Sequence, residues 1–342
     1  MRCTSPRTVG FKHDGSTISW SPKTTSKEFA TWQLPCGKCL SCRLEYARTW
    51  AIRCVHEAAI HDQNSFITLT YSDENLKSPR LNYTDFQLFV KKLRDHIFQE
   101  WLEKRFPKNY YKNLSKQQKK QFREDHRNEL DKQKIGIFVT GEYGDQNKRP
   151  HWHAIIFNWR PTDTQHHYTN DRGDKVFTSE ILTKLWNKGH AEIGSVTFES
   201  AGYVARYAAK KLGHGNDQNH DYHPISKKSS HQAIGKRWLE QYWPDVFNYG
   251  EIILDTGQKA PIPRYYQKWL QKHKPDEWRK YVTITKLAKM EAAQHQTETE
   301  LERYREEIRK RGPFKATLTT RNRARKIILE SKFKQLQGYL KL

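Results

Sequence analysis

The stretch that most constrains this chain is Arg149-Pro-His-Trp-His-Ala-Ile-Ile-Phe157. A proline followed by an apolar and aromatic run of this length reads as a β-strand. Side chains alternate across a strand, so His151, His153, Ile155 and Phe157 share one face. Two imidazoles so placed on a rigid sheet can hold one divalent metal ion. Upstream, Ile135-Gly-Ile-Phe-Val-Thr-Gly-Glu142 reads as a second strand, and the Gly, Asp and Asn content of 143–148 reads as a turn. If the two strands pair as a hairpin, Glu142 stands roughly opposite His151. The expected site is two neutral nitrogens and one carboxylate, with room left for substrate.

The other informative stretch is Ser200-Ala-Gly-Tyr-Val-Ala-Arg-Tyr-Ala-Ala-Lys-Lys-Leu-Gly213. Its alanines favour helix, Ser200 suits an N-cap and Gly213 a stop. Tyr203 and Tyr207 are then on one helix face, each with a cation one turn on, Arg206 and Lys210 respectively. A tyrosine hydroxyl is a poor nucleophile at neutral pH, with an ordinary pKa of about 10. A nearby metal that polarises the group under attack, or a cation that stabilises the phenolate, changes that. A metal held by Glu142, His151 and His153 can orient a scissile phosphate for in-line attack by a tyrosine. The products are a 5′-phosphotyrosine and a free 3′-hydroxyl, which keeps the bond energy so that the strand can be rejoined without ATP.

Charge agrees with a polyanionic substrate. The chain has 342 residues, with 61 Lys and Arg against 38 Asp and Glu, a formal +23. Such an excess marks a nucleic-acid partner more often than a membrane surface, and no apolar run approaches a spanning helix. Residues 258–342 alone carry 22 Lys and Arg against 9 Asp and Glu. The hydrophobic fraction is 35%, but 11 Trp, 17 Tyr and 15 Phe supply bulky core material. The first residues lack the apolar core of a secretory signal, so an intracellular protein is expected.

Of five cysteines, Cys36, Cys39 and Cys42 form C-x-x-C-x-x-C. In a reducing compartment this spacing suggests a metal before disulfides, and Cys36-Gly-Lys-Cys39 resembles a zinc knuckle. A tetrahedral zinc needs a fourth ligand, either Cys3 or Cys54. The competing reading buries Cys42 and Cys54 on one helix face.

Elsewhere, patterning predicts an irregular 1–35, helices over 40–62 and 82–105, and strands over 65–71 and 191–198. A short helix is expected at 179–188 and a surface loop at 158–177. The charged stretch 107–134 reads as a solvated helix or insertion touching little. Residues 214–234 read as mobile, and their histidines (His214, His220, His223, His231) lack tight ligand spacing. The aromatic-rich 238–249 and 261–269 read as packing of a small subdomain, and 283–310 as one long charged helix.

Taken in order, Phe66-Ile-Thr-Leu-Thr-Tyr71, then Glu142 with Arg149-Pro-His-Trp-His153, then Tyr203-Val-Ala-Arg-Tyr-Ala-Ala-Lys210 resemble the three motifs of the HUH endonucleases. These enzymes start rolling-circle replication. The paired tyrosines, the Cys-Gly-Lys-Cys stretch and Ile262-Pro-Arg-Tyr-Tyr-Gln-Lys268 are similar to replication initiators of small single-stranded DNA phages, the microviruses, especially their gokushovirus branch. The resemblance implies an α+β fold, a central antiparallel sheet with flanking helices, and two tyrosines that alternate in cleavage. Arg206 departs from the lysine of a first Tyr-x-x-Lys, which ranks Tyr207 ahead of Tyr203.

The expected organisation is a Cys-bearing N-terminal element (1–39), an HUH endonuclease domain (40–215) and a basic, aromatic and helical C-terminal region (216–342). The expected function is nicking and rejoining of one strand of viral origin DNA in the cytoplasm of a bacterial host. Mg²⁺ or Mn²⁺ suits the mixed imidazole and carboxylate site, with structural Zn²⁺ at the cysteines. Single-stranded and supercoiled origin DNA are the expected substrates. Without a recognisable P-loop, unwinding is expected from a partner such as a host helicase, alongside the host replication machinery. The alternatives are a relaxase or transposase of the same fold, and a noncatalytic zinc-stabilised DNA-binding protein.

Overall fold

A computed structural model describes residues 3–29, 31–144, 148–171, 173–210, 225–228, 233–313 and 321–339; the side chains of 22, 206–210, 321–322 and 336–339 lie outside that description. The chain is α+β and divides into two units, Trp50–Gln241 and Met1–Thr49 with Tyr242–Leu342. No helix among the described residues is long and apolar enough to cross a membrane.

The N-terminal residues form a small antiparallel sheet of β1 (Arg7–Phe11), β2 (Ile18–Ser19) and β3 (Trp32–Leu34), where an irregular segment was expected. The strands are too short to show alternation; their pairing rests on buried Val9 and on Phe11 against Phe29 and Trp32. Helix α1 (Leu40–Ala58) follows and is divided between the units. It stops short of the expected Asp62 because the Asn64 side-chain amide donates to the carbonyls of Ala58 and His61.

The sheet of the Trp50–Gln241 unit is built around three strands. β4 (Asn64–Thr70) is followed by α2 (Tyr83–Glu103), which begins at its cap Asn82. Next come three short helices, α3 (Tyr110–Asn113), α4 (Lys116–Asp125) and α5 (Arg127–Lys132), and then the hairpin of β5 (Gly136–Tyr143) and β6 (Pro150–Phe157). The chain continues through β7 (Gln165–Thr169), β8 (Lys175–Thr178), α6 (Glu180–Trp186), β9 (Ala191–Gly194), α7 (Phe198–Lys210) and β10 (Ile225–Lys228). The described strands pair antiparallel in the order β10-β5-β6-β4-β9-β8-β7.

One sheet face carries the core: Ile67, Leu69, Ile137, Val139, Trp152, Ala154, Ile156 and Ile193 pack under Phe86, Phe89 and Leu93 of α2 and Leu182 and Trp186 of α6. Each large apolar side chain buried there contributes about 1.5–3 kcal/mol. Trp152, between the two histidines, anchors this face: its indole N–H donates to the Tyr71 hydroxyl (3.0 Å), which donates to Asp85 (3.2 Å). Directly opposite Trp152 is Gly141, where a Cβ would lie 2.5 Å from the indole ring. With the even-numbered strand residues spent on the core, the histidines must face the other way.

Several expectations change. Residues 165–178 contain a strand pair rather than a loop; every residue of β7 is exposed, so no apolar period marks it. The stretch 107–134 is not a charged face touching nothing, because Phe122 of α4 packs with Trp101, Leu102, Phe106 and Tyr111, and the Arg123 guanidinium lies over Phe98. Residues 225–228 of the segment read as mobile pair with β5 at the sheet edge, while His214, His220, His223, His231 and Gly213 lie outside the described residues. β9 ends at Gly194, since Thr197 and Ser200 exchange backbone-to-hydroxyl hydrogen bonds and start α7 earlier than the expected Ser200 cap.

Helix α8 (Lys236–Tyr249) leads into β11 (Ile252–Ile253), β12 (Lys259–Ala260), α9 (Arg264–His273), α10 (Pro275–Lys280), α11 (Leu287–Arg311) and α12 (Arg321–Tyr339). The aromatic residues pack as expected, with Tyr266, Trp269 and Leu270 buried and Phe247 edge-on to Tyr281. The long charged helix begins at Leu287, after a π-helical turn over Tyr281–Lys286.

Candidate metal centre

The β5–β6 register pairs Glu142 with His151 and Thr140 with His153, and β4 pairs Thr68 with His153. Paired residues in a sheet share a face, so Glu142, both histidines and Thr68 project together from the face opposite the Trp152 core. The Glu142 Oε1 atom is 3.0 Å from His151 Nε2 and 2.8 Å from His153 Nε2. One ligand atom from each of the three lies within 4.8 Å of the others.

The outer ring nitrogens fix the chemistry of the inner ones. His151 Nδ1 is 3.1 Å from the carbonyl oxygen of Arg149, which can only accept, so Nδ1 carries the proton. His153 Nδ1 is 3.0 Å from Thr68 Oγ1, which is free to accept in the same way. Both rings thus turn Nε2 toward Glu142, the pattern that outer partners impose on metal-binding histidines. Electron-rich atoms converge this closely only around a shared cation, either protons on the imidazoles or a metal ion.

Burial pushes the Glu142 carboxyl up, but the hydrogen bonds and charge of His151 and His153 pull it below the usual carboxylate value. Burial drives the pKa of His153 down, against a smaller upward pull from Glu142. An ionised carboxylate beside a neutral imidazole is the protonation state that a metal requires. Glu142 Oε2 is buried and accepts no hydrogen bond from any described residue. A buried carboxylate oxygen without a partner is costly, and a cation supplies one. The donor set therefore fits a divalent ion.

Helices α1 and α7 lie over this face. Trp50 of α1 stacks on Phe138 of β5, and α7 buries Ala201, Val204 and Ala205. A Cβ on Gly202 would meet Ala51 of α1 at 3.9 Å. These small residues bring α7 close, and the Tyr203 ring stands edge-on to His153, 5.0 Å between centroids at 87°. Tyr203 also meets Phe66 edge-on at 6.4 Å. Arg206, Tyr207 and Lys210 continue α7, and their side chains lie outside the described residues.

Residues that the sequence left without a role surround the centre. Arg149 donates through Nε to the Tyr71 carbonyl (3.0 Å) and pairs with Asp73 (2.7 Å), holding the start of β6. Tyr71 itself belongs to the core, where burial raises its pKa. Thr68 was not singled out, although its place in the alternating Phe66–Tyr71 strand would have revealed it once that strand was paired with β6. Away from this centre, Cys3 joins Cys36, Cys39 and Cys42, with one sulfur of each within 4.8 Å of the others. Cys54 is fully buried.

Residues 104–212 match the family model for the replication-associated protein ORF2. Replication-associated protein VP4 of Bdellovibrio phage phiMH2K is 45% identical over 343 residues, covering 100% of both chains. Replication-associated protein ORF4 of Chlamydia phage 1 is 29% identical over 72% of this chain and 55% of its own length. Replication-associated protein ORF2 of Spiroplasma virus 4 is 28% identical over 72% of this chain and 70% of its own. No solved structure matches. A full-length match at 45% identity, joined by two further phage relatives, shows that this chain belongs to the replication-associated proteins of the microviruses.

Proposed function

We propose that this protein starts rolling-circle replication by cutting one strand of its phage's origin DNA and later rejoining it through a tyrosine. The observation that carries the reading is Tyr203 standing edge-on to His153 on the sheet face that also presents His151 and Glu142. A hairpin carrying His-x-His at the centre of an antiparallel sheet, with a tyrosine helix on the same face, is the arrangement expected of the HUH endonuclease fold. Mg²⁺ or Mn²⁺ held by Glu142, His151 and His153 would supply Lewis-acid polarisation of the scissile phosphate.

The chain's own groups do the rest. Tyr203 and Tyr207 are the nucleophiles: a tyrosine oxygen bonds to phosphorus as the bond from phosphorus to the 3′ oxygen breaks. The phenolic proton passes through solvent to the departing 3′ oxygen. Arg206 and Lys210, one turn beyond the tyrosines, neutralise phosphate or phenolate charge. Thr68 and the Arg149 carbonyl keep both imidazoles turned toward the phosphate site. Later attack by the free 3′-hydroxyl on the phosphotyrosine reverses the step and closes the strand. The substrate is single-stranded or supercoiled origin DNA in the host cytoplasm, and a host helicase supplies unwinding.

The test uses end-labelled single-stranded oligonucleotides tiling the genome that encodes the protein, with Mn²⁺ or with EDTA. A denaturing gel should show protein attached to the 5′ end of the downstream fragment with Mn²⁺ and not with EDTA. Tyr203→Phe and Tyr207→Phe report separately on each tyrosine, and the double variant should bind DNA without forming the adduct. Tight DNA binding by the parent protein with no adduct in any divalent metal would sink the endonuclease reading in favour of a noncatalytic binding protein.

A further inference from the structure

Four cysteines meet where α1 begins, all within the unit of Met1–Thr49 and Tyr242–Leu342. Cys3 Sγ lies 3.5 Å from Cys36 Sγ and 3.7 Å from Cys39 Sγ. Four thiolates bound tetrahedrally to one zinc at about 2.3 Å stand about 3.8 Å apart. The observed spacing is that of a single-ion site. A cubane iron–sulfur cluster, with an iron at each corner, holds its thiolates further apart.

The backbone is arranged for thiolates. The Cys36 amide donates to Cys3 Sγ and the Cys39 amide to Cys36 Sγ, each at 3.3 Å. Gly37 sits at φ +74°, where a side chain is strained, and this residue turns the chain so that Cys36 and Cys39 point the same way. Burial pushes the Cys39 thiol up, but hydrogen bonds from Thr4 and Cys42 more than offset it and bring it to about 6. Cys54 has none of this setting and stays in the core.

The surrounding structure also needs a staple. The N-terminal sheet has strands of 5, 2 and 3 residues. So small an element rarely holds itself by hydrophobic burial alone, and a structural metal is a common remedy. We infer that Cys3, Cys36, Cys39 and Cys42 together hold one structural zinc ion that ties the third residue of the chain to the N-terminus of α1. All four positions of the ion are filled by protein, so the site takes no substrate and is chemically independent of the Glu142, His151 and His153 centre.

The test measures metal content of the full-length protein purified without added metal or chelator, by inductively coupled plasma mass spectrometry. About one zinc per chain is expected in the parent, in Cys54→Ala and in the triple variant Glu142→Ala, His151→Ala, His153→Ala. Cys3→Ser and Cys39→Ser should each lose it. Should those variants fail to fold, cobalt exchanged into the parent provides a second reading, through the intense visible bands of tetrahedral cobalt thiolate. The inference is overturned if the parent carries no zinc with all cysteines alkylated or a Cys3–Cys36 disulfide found, or if it carries iron instead. It is equally overturned if zinc leaves with the histidine variant rather than with the cysteine variants. None of these readouts depends on DNA cleavage, so the site can stand or fall apart from the nicking reaction.

Discussion

At the scale of single residues, the metal centre depends on groups that never touch the ion. Thr68 accepts from His153 Nδ1 and so holds Nε2 toward Glu142. Thr68→Val keeps the shape of the side chain and removes the acceptor. Loss of such an outer partner typically costs about 10–100-fold in metal affinity. A Mn²⁺ titration followed by calorimetry should show a weakening in that range with the fold unchanged; an unaltered affinity would mean that Thr68 only packs. His56, far along α1, makes a different prediction. Burial lowers its pKa from 6.5 to about 3, with its ring stacked on Trp238 at 3.5 Å. As pH falls, the unfolded chain takes up this proton before the folded one. The stability that His56 contributes is therefore whole above about pH 6.5 and is lost progressively as pH falls toward 3. His56→Gln should flatten the acid limb of a urea-unfolding series across that window, and an unchanged slope would refute the assignment.

At the scale of elements, the β5–β6 hairpin has to satisfy both faces at once. Trp152 fills the core side while His151 and His153 fill the other, and the strand between them cannot rotate to please one face alone. Gly141 makes this possible, because Trp152 and Leu81 occupy the space that its side chain would take. Gly141→Ala puts a methyl group within van der Waals contact of an indole that has no room to move. Overpacking of this kind typically costs about 1–3 kcal/mol. Chemical denaturation should show a loss of that size, and because Glu142 is the next residue, Mn²⁺ affinity should fall as well. A variant as stable as the parent would show that the indole can shift.

At the scale of the whole molecule, charge decides how DNA is gathered. Residues 312–342 carry 8 Lys and Arg against 1 Asp or Glu, on a chain whose excess is +23. Contacts of this sort release counterions, so affinity for single strands falls with salt at a slope of about 0.7 per phosphate neutralised. Truncation after Arg311 should lower both the affinity for single-stranded DNA and the steepness of its salt dependence. Mn²⁺-dependent cutting of a short origin strand at low salt should survive, since the residues that perform it lie between 68 and 210. Equal salt slopes in the two proteins would exclude the C-terminal residues from phosphate contact.

Local chemistry determined what could be read without coordinates. Alternation along Arg149–Phe157, a short polar turn and a second apolar strand suffice to set Glu142 opposite His151, because a two-strand hairpin has few possible registers. Helical spacing likewise set Tyr203 and Tyr207 one turn apart. Partners from distant parts of the chain were out of reach. The choice of Cys3 over Cys54 for the sulfur cluster, the pairing of Thr68 with His153, the aromatic packing around Phe122 and the edge strand Ile225–Lys228 all join segments that no local period links. Exposed or very short strands carry no alternation, and a hydrogen bond across a sheet leaves no mark on either strand's own sequence. Those placements were decided by the tertiary structure, where burial and backbone pairing choose among partners that look equivalent along the chain.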